Sequence, residues 1–255
     1  MFFDTHAHYD DERYNDDRDA LLASMQESGV SLILNAGSSV ASSRIGLSIA
    51  EKYPFVYAAV GVHPHDAREM DDDSIPALRE LLCHPKALAV GEIGLDYHYN
   101  LSPPEVQKAR FREQLELAAE LSKPVIIHER EAFEEVMEIL SDFKSIAGVF
   151  HCFSGDAAAA ERVLGLNDAW MLSFTGVITF KNARVALETA AGVPIDRLML
   201  ETDSPYLAPV PVRGSRNDSR NMRHIAAILA EARGITIEAL AEATMQGGKK
   251  FFGIT

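Results

Sequence analysis

Residues 124–151 read P-V-I-I-H-E-R-E-A-F-E-E-V-M-E-I-L-S-D-F-K-S-I-A-G-V-F-H. An apolar run, Val125–Ile127, ends in His128. A helix-period segment, Phe133–Leu140, follows, and a second apolar run, Ile146–Phe150, ends in His151. Strand, helical crossover and strand make the unit of a parallel sheet. Both histidines then stand at the same end of two consecutive strands. Either alone would more often be a hydrogen-bonded histidine than a ligand; two in equivalent positions are harder to explain so.

The same alternation extends in both directions. Further strands are expected at Phe2–Thr5, Leu32–Asn35, Val56–Val60, Ala87–Gly91, Trp170–Phe174 and Arg197–Leu200. Amphipathic helical stretches fall at Asp16–Glu27, Val40–Lys52, Pro104–Leu121, Ala157–Leu164 and Ala183–Ala191, and Asn221–Ala232 and Ile237–Lys249 close the chain. Asp73–Ser74 and Ser102–Pro103–Pro104 have the composition of helix starts. Eight βα alternations specify a parallel sheet that is either closed or open and doubly wound. The count of eight, the lack of a G-x-G-x-x-G after an early strand, and polar residues recurring past the strand ends favour the (β/α)8 TIM barrel. Such a barrel uses about 250 residues, so the 255 residues are expected to form one domain, 1–255.

Composition narrows the function. The chain is 47% hydrophobic, 24% charged and carries a formal net charge of −14. That acidity argues against a protein that coats nucleic acid, although an enzyme that grips one phosphate locally remains open. With Cys83 and Cys152 the only cysteines, a reducing compartment is expected. No signal peptide and no membrane span are visible, which reads as a cytoplasmic protein.

The polar residues at the strand ends are candidates for metal chemistry. His6 and His8, in D-T-H-A-H after the first strand, are spaced to point to one face of extended chain; an isolated H-x-H is more often two polar residues at a strand end. Glu92, in A-V-G-E-I-G-L-D, enters the barrel rim, where a carboxylate needs a metal or a paired arginine. Asp203, in R-L-M-L-E-T-D-S-P, ends the eighth strand and should approach His6 and His8 if the barrel closes. With His128 and His151 these groups exceed one tetrahedral site, and a two-metal centre of Mg²⁺, Mn²⁺ or Zn²⁺ fits better. His63 and His65 in G-V-H-P-H are candidates to bind a substrate oxygen, or form a polar turn held by Pro64. Asp96, Tyr97 and Arg130 share the rim with weaker claims. Arg213, Arg216, Arg220 and Arg223 face Asp218 alone in a locally basic loop suited to phosphate, with pairing to nearby acids expected for two of the four.

The ordered series D-T-H-A-H, G-V-H-P-H, V-G-E-I-G-L-D-Y, P-V-I-I-H-E-R-E-A, F-H-C-F-S-G and E-T-D-S-P-Y-L-A-P resembles the TatD-type metal-dependent deoxyribonucleases, within the amidohydrolase-like barrel group, over nearly the whole chain. The resemblance implies a binuclear site that hydrolyses DNA phosphodiesters. One ion would take His6, His8, Glu92 and Asp203, the other Glu92, His128 and His151, with His63 and His65 near the scissile phosphate. The chain departs from the family in its basic loop, P-V-R-G-S-R-N-D-S in place of P-H-R-G-K-x-N-E-P, and has Gly247 where asparagine is usual.

The expected chemistry is metal-assisted hydrolysis, with Asp203 accepting a proton from the attacking water and His63 or Arg213 assisting at the phosphate. Glu92 joins them as a catalytic candidate, and His65, Arg213 and Arg130 are candidate substrate contacts. DNA is the expected substrate, as single strands or ends rather than long duplex. A small-molecule amidohydrolase or lactonase is the rival enzyme, and a non-catalytic metal-binding protein the rival of another class. The oligomeric state is left open.

Overall fold

The computed structural model describes all residues, 1–255. Eight parallel strands form one sheet in sequence order: β1 Phe2–Ala7, β2 Val30–Ala36, β3 Val56–Val60, β4 Ala87–Asp96, β5 Val125–Arg130, β6 Gly148–Phe150, β7 Trp170–Phe174 and β8 Leu198–Leu200. The barrel is closed by the segment beyond β8. Asp203 N–H donates to His6 O at 2.9 Å and His8 N–H to Ser204 O at 2.7 Å, and Ala7 and Ser204 form a parallel bridge. The expected (β/α)8 barrel is present.

Helices α1 Arg18–Ala23, α2 Val40–Lys52, α3 Ser74–Leu82, α4 Pro104–Leu121, α5 Phe133–Leu140, α6 Ala157–Leu164, α7 Arg184–Gly192, α8 Met222–Arg233 and α9 Ile237–Phe252 complete the fold. The first is shorter than its sequence pattern: Ser24 and Ser28 turn their hydroxyls onto preceding carbonyls, offering the backbone an alternative to helix. Asp73 precedes α3 but makes no cap bond with its side chain; Ser74 bonds Asp71 instead. No helix is long and apolar enough to cross a membrane.

The interior apolar layer takes one residue from each strand: Phe3, Leu34, Ala59, Ala89, Ile126, Val149, Met171 and Met199, sealed from below by Met245 and Phe252 of α9. Strand side chains alternate faces, so residues two further along point into the barrel one layer higher. Counting from Ile126, Val149 and Met199 gives His128, His151 and Glu201. The apolar floor therefore sets the position of the polar layer above it.

Three of the boundaries that differ from expectation bear on the site. His6, Glu92 and His128 lie within β1, β4 and β5 rather than after them. Backbone pairing of β4 with β5 continues from Ile93–Ile127 to Asp96–Arg130 past the end of the apolar runs. The ladder depends on main-chain groups, and the polar side chains it carries inward satisfy one another. Gly94 permits this approach: its φ is 147°, and a Cβ there would collide with the His128 carbonyl.

Candidate metal centre

Glu92 is the hub of the site. It is buried among five imidazoles, and its two oxygens face different partners. Oε2 lies 3.2 Å from His6 Nε2 and 3.6 Å from His8 Nε2. Oε1 lies 2.7 Å from His128 Nδ1, 2.8 Å from His151 Nε2 and 3.5 Å from His63 Nε2. Asp203 Oδ1 joins the first group, 3.4 Å from His8 Nε2 and 3.8 Å from His6 Nε2. Potential ligand atoms thus gather into three overlapping groups, His6–His8–Asp203, His6–Glu92–His151 and His63–Glu92–His128.

Outer contacts orient the imidazoles. His8 Nδ1 donates to Ala36 O at 2.9 Å. His128 Nε2 faces Asp96 Oδ2 at 3.0 Å, and His151 Nδ1 faces Glu201 Oε1 at 3.3 Å. In these three the distal nitrogen is engaged by a fixed acceptor, which aims the other nitrogen at Glu92 or Asp203, whereas the buried His6 Nδ1 has no partner. Backbone conformation contributes at Asp203, whose φ of 54° is in the left-handed region, uncommon for a residue other than glycine. Asp203 N–H is held by His6 O, as in the barrel closure.

Electrostatics follow from this arrangement. Burial opposes charge on Glu92 and Asp203, yet surrounding imidazoles hold both below the usual carboxylate range: chiefly His151, His63 and His6 for Glu92, and the His8 hydrogen bond followed by His151 and His6 for Asp203. Burial pulls His8 down, but the hydrogen bond to Asp203 and the charge of Glu92 lift it to about 9. His128 and His151 are also raised against burial, by Asp96 and Glu92 and by Glu92 and Glu201 respectively. The raised imidazoles and lowered carboxylates face one another across the space that the three donor groups enclose. The donor set fits a divalent ion, and displacing the imidazole protons leaves imidazole and carboxylate ligands already aimed.

His63 behaves differently. Its Nδ1 accepts the His65 N–H at 3.1 Å, which places its proton on Nε2. Burial, then the neighbouring His128 charge, lowers its pKa to about 4. A neutral His63 therefore presents an N–H donor to the centre. His65 Nε2 is engaged by Asp96 Oδ2 at 2.9 Å, so only Nδ1 is uncommitted. Pro64 does begin a short 3-10 helix capped by His63, so the turn and the site use the same residues.

The outlying candidates divide. Arg216 makes a forked pair with Asp17 at 2.8 and 2.6 Å, and Arg220 pairs with Asp218 at 2.8 Å. Arg213 makes no ion pair and lies 4.2 Å over the Phe180 ring. Arg130 is exposed and lies 4.7 Å over Tyr99. Tyr97 is half-buried and makes no side-chain hydrogen bond to the cluster. Glu201 was not singled out by sequence, because its position in E-T-D-S-P draws attention to Asp203. Its signal was period two from Met199. Asp4, equally unmarked, accepts Thr202 N–H at 2.9 Å and the Thr202 and Ser219 hydroxyls at 2.6 Å each, anchoring the segment that carries Asp203.

A closed (β/α)8 barrel with a buried histidine–carboxylate cluster at the C-terminal mouth defines a class of metal-dependent hydrolases. Residues 3–253 match the family described as TatD related DNase. YabD of Bacillus subtilis strain 168, an uncharacterized metal-dependent hydrolase, is 39% identical over 256 residues, covering 100% of both chains. The 3′-5′ ssDNA/RNA exonuclease TatD of Erwinia tasmaniensis is 36% identical over 260 residues, covering 99% of this chain and 100% of its own. The crystal structure of YJJV, a TatD homolog from Escherichia coli K12, superposes with a TM-score of 0.93 at 30% identity, covering 100% of this chain and 98% of that one. The chain belongs to the TatD family of metal-dependent hydrolases.

Proposed function

We propose that this hydrolase is a nuclease that cleaves phosphodiester bonds in single-stranded nucleic acid, DNA foremost, with two divalent ions. The observation that carries the reading is the division of Glu92: one oxygen faces His6 and His8 beside Asp203, the other His128 and His151. His6, His8, Asp203 and Glu92 would hold one ion, and Glu92, His128 and His151 the second. When bound, such ions acidify water and neutralise charge on phosphate oxygens.

The chain's own groups supply the remainder. Asp203, kept ionised by its histidine neighbours, accepts the proton of the attacking water at Oδ1. His63 donates Nε2–H to a phosphate oxygen without bringing a proton that must first be lost. Arg213, without a carboxylate partner, offers a charge for an adjacent phosphate, and His65 a further contact through Nδ1. The family description and the activity named for the Erwinia relative support nucleic acid over a small amide or lactone.

The test is turnover of end-labelled single- and double-stranded DNA and RNA, beside lactones and amides, by metal-stripped protein given Mg²⁺, Mn²⁺ or Zn²⁺ singly. Cleavage of single strands that depends on added metal and is abolished in folded His128→Ala is expected. Full nuclease activity in that variant would sink the site assignment; turnover confined to lactones or amides would sink the substrate.

A further inference from the structure

The chain has one tryptophan, seven tyrosines and twelve phenylalanines, and only two of these rings are exposed: Tyr99 at 55% and Tyr206 at 47%. Both lie on the C-terminal rim. Tyr99 follows β4 and Tyr206 follows β8. Four strands apart in an eight-stranded barrel, they stand on opposite sides of the mouth with the Glu92 cluster between them.

Each tyrosine is tied to that cluster. Tyr99 N–H donates to Asp96 Oδ1 at 2.8 Å, the carboxylate whose other oxygen engages His65 and His128. Its ring stands edge-on to His65, centroids 5.4 Å apart. Tyr206 N–H donates to Asp203 O at 2.9 Å, and its ring is edge-on to His8 at 6.1 Å. Each ring also carries a guanidinium: Arg130 is 4.7 Å from the Tyr99 centroid and Arg13 is 4.2 Å from that of Tyr206. The two sides differ in charge. Arg13 is forked onto Asp11 at 2.9 and 2.7 Å, whereas Arg130 has no carboxylate partner.

An aromatic ring left in water forgoes the gain of burial, and a base has a π-face that can cover it. We propose that Tyr99 and Tyr206 are stacking platforms for the two nucleobases that flank the scissile phosphate, with Arg130 contacting a further phosphate on the Tyr99 side only. A base stacked within a duplex has no free face for either ring, so this pair selects unpaired strands and frayed ends. The proposal rests on the nuclease reading above.

The experiment compares kcat/KM of the metal-loaded enzyme on a single-stranded tetranucleotide and on strands made abasic on either side of the cleaved bond. Tyr99→Ala and Tyr206→Ala should each lower kcat/KM about tenfold, the scale of one stacked base, chiefly through KM. Tyr99→Phe and Tyr206→Phe, which keep the ring, should restore it. Removing the facing base should cost the wild type a similar factor, and combining both changes no more than either alone. Arg130→Ala should flatten the salt dependence of kcat/KM by about 0.7 in log–log slope.

Undiminished kcat/KM in the alanine variants, or losses that multiply with base removal, overturn the proposal. The base-free diester methyl 4-nitrophenyl phosphate separates the two levels of inference. Wild-type strand turnover that the alanine variants match overturns the stacking assignment alone, whereas turnover of that diester without turnover of any strand overturns the nuclease reading with it. Turnover of neither overturns the nuclease reading and the stacking assignment together.

Discussion

Glu201 Oε1 lies 3.3 Å from His151 Nδ1 and accepts the Cys152 N–H at 2.7 Å. This buried carboxylate belongs to none of the three donor groups, yet it holds the His151 nitrogen that faces away from Glu92. A histidine whose distal nitrogen is held by a carboxylate is both oriented and made more basic, and loss of such a partner typically weakens metal binding about 10–100-fold. Glu201→Gln should therefore lower affinity for the second ion by that order, leaving the His6–His8–Asp203 group less affected. Chelator competition on the variant gives the answer; unchanged affinity for both ions would remove Glu201 from the site.

Metal uptake should release protons and tighten with pH. His8 is lifted to about 9, with His128 and His151 also above the ordinary imidazole value, so a metal-free site holds protons at neutral pH. Each proton displaced steepens the affinity by about tenfold per pH unit in the range where that group is protonated. Calorimetry in buffers of different ionisation enthalpy measures the release directly. Binding without proton release would contradict the assignment of these nitrogens as ligands.

The same groups set the stability of the metal-free protein. A pKa raised on folding means that the folded state binds its proton more tightly than the unfolded chain. The contribution of His8 is therefore fully present below about 6.5 and is lost as pH rises through about 9. Asp4, raised to about 7 by burial against its hydrogen bonds, works in the same direction between its ordinary value near 3.8 and about 7. Urea midpoints of stripped protein should fall from pH 6.5 to 9, and saturating metal should reduce that fall.

Asp203→Asn should keep the barrel closed, because the backbone bond from residue 203 to His6 O does not need the carboxylate. Removing a general base typically costs 10²–10⁴ in rate, so kcat should drop by about that range, with any loss of metal measured separately. Wild-type kcat in a metal-replete variant would exclude Asp203 as the proton acceptor.

Asp4→Ala should act on stability. It strips the acceptor from Thr202 N–H and from the Thr202 and Ser219 hydroxyls, all buried. At about 1–3 kcal/mol for each unsatisfied buried group, a loss of about 3 kcal/mol or more is expected in denaturant unfolding. By contrast, Arg216→Ala, whose guanidinium is already paired with Asp17 at the surface, should cost under about 1 kcal/mol.

The sequence by itself determined the barrel and most of its candidate metal centre. Apolar runs of strand length alternating with helix-period segments leave little choice of architecture, and all eight expected strands are present. His6, His8, Glu92, His128, His151 and Asp203 were each visible as polar residues at or near the end of an apolar run. Only the tertiary structure decided how they divide. Which oxygen of Glu92 faces which histidine depends on closing β8 against β1 and on the register of β4 with β5, contacts made between distant parts of the chain. Glu201 and Asp4 stayed hidden because their work is done on neighbours in space. Tyr99 and Tyr206 carry no signal along the chain, because their shared place on the mouth follows from β4 and β8 lying four strands apart. Periodicity follows from local backbone geometry and can be read along the chain, whereas the direction of a ligand atom is set by packing and hydrogen bonds that only the closed barrel brings together.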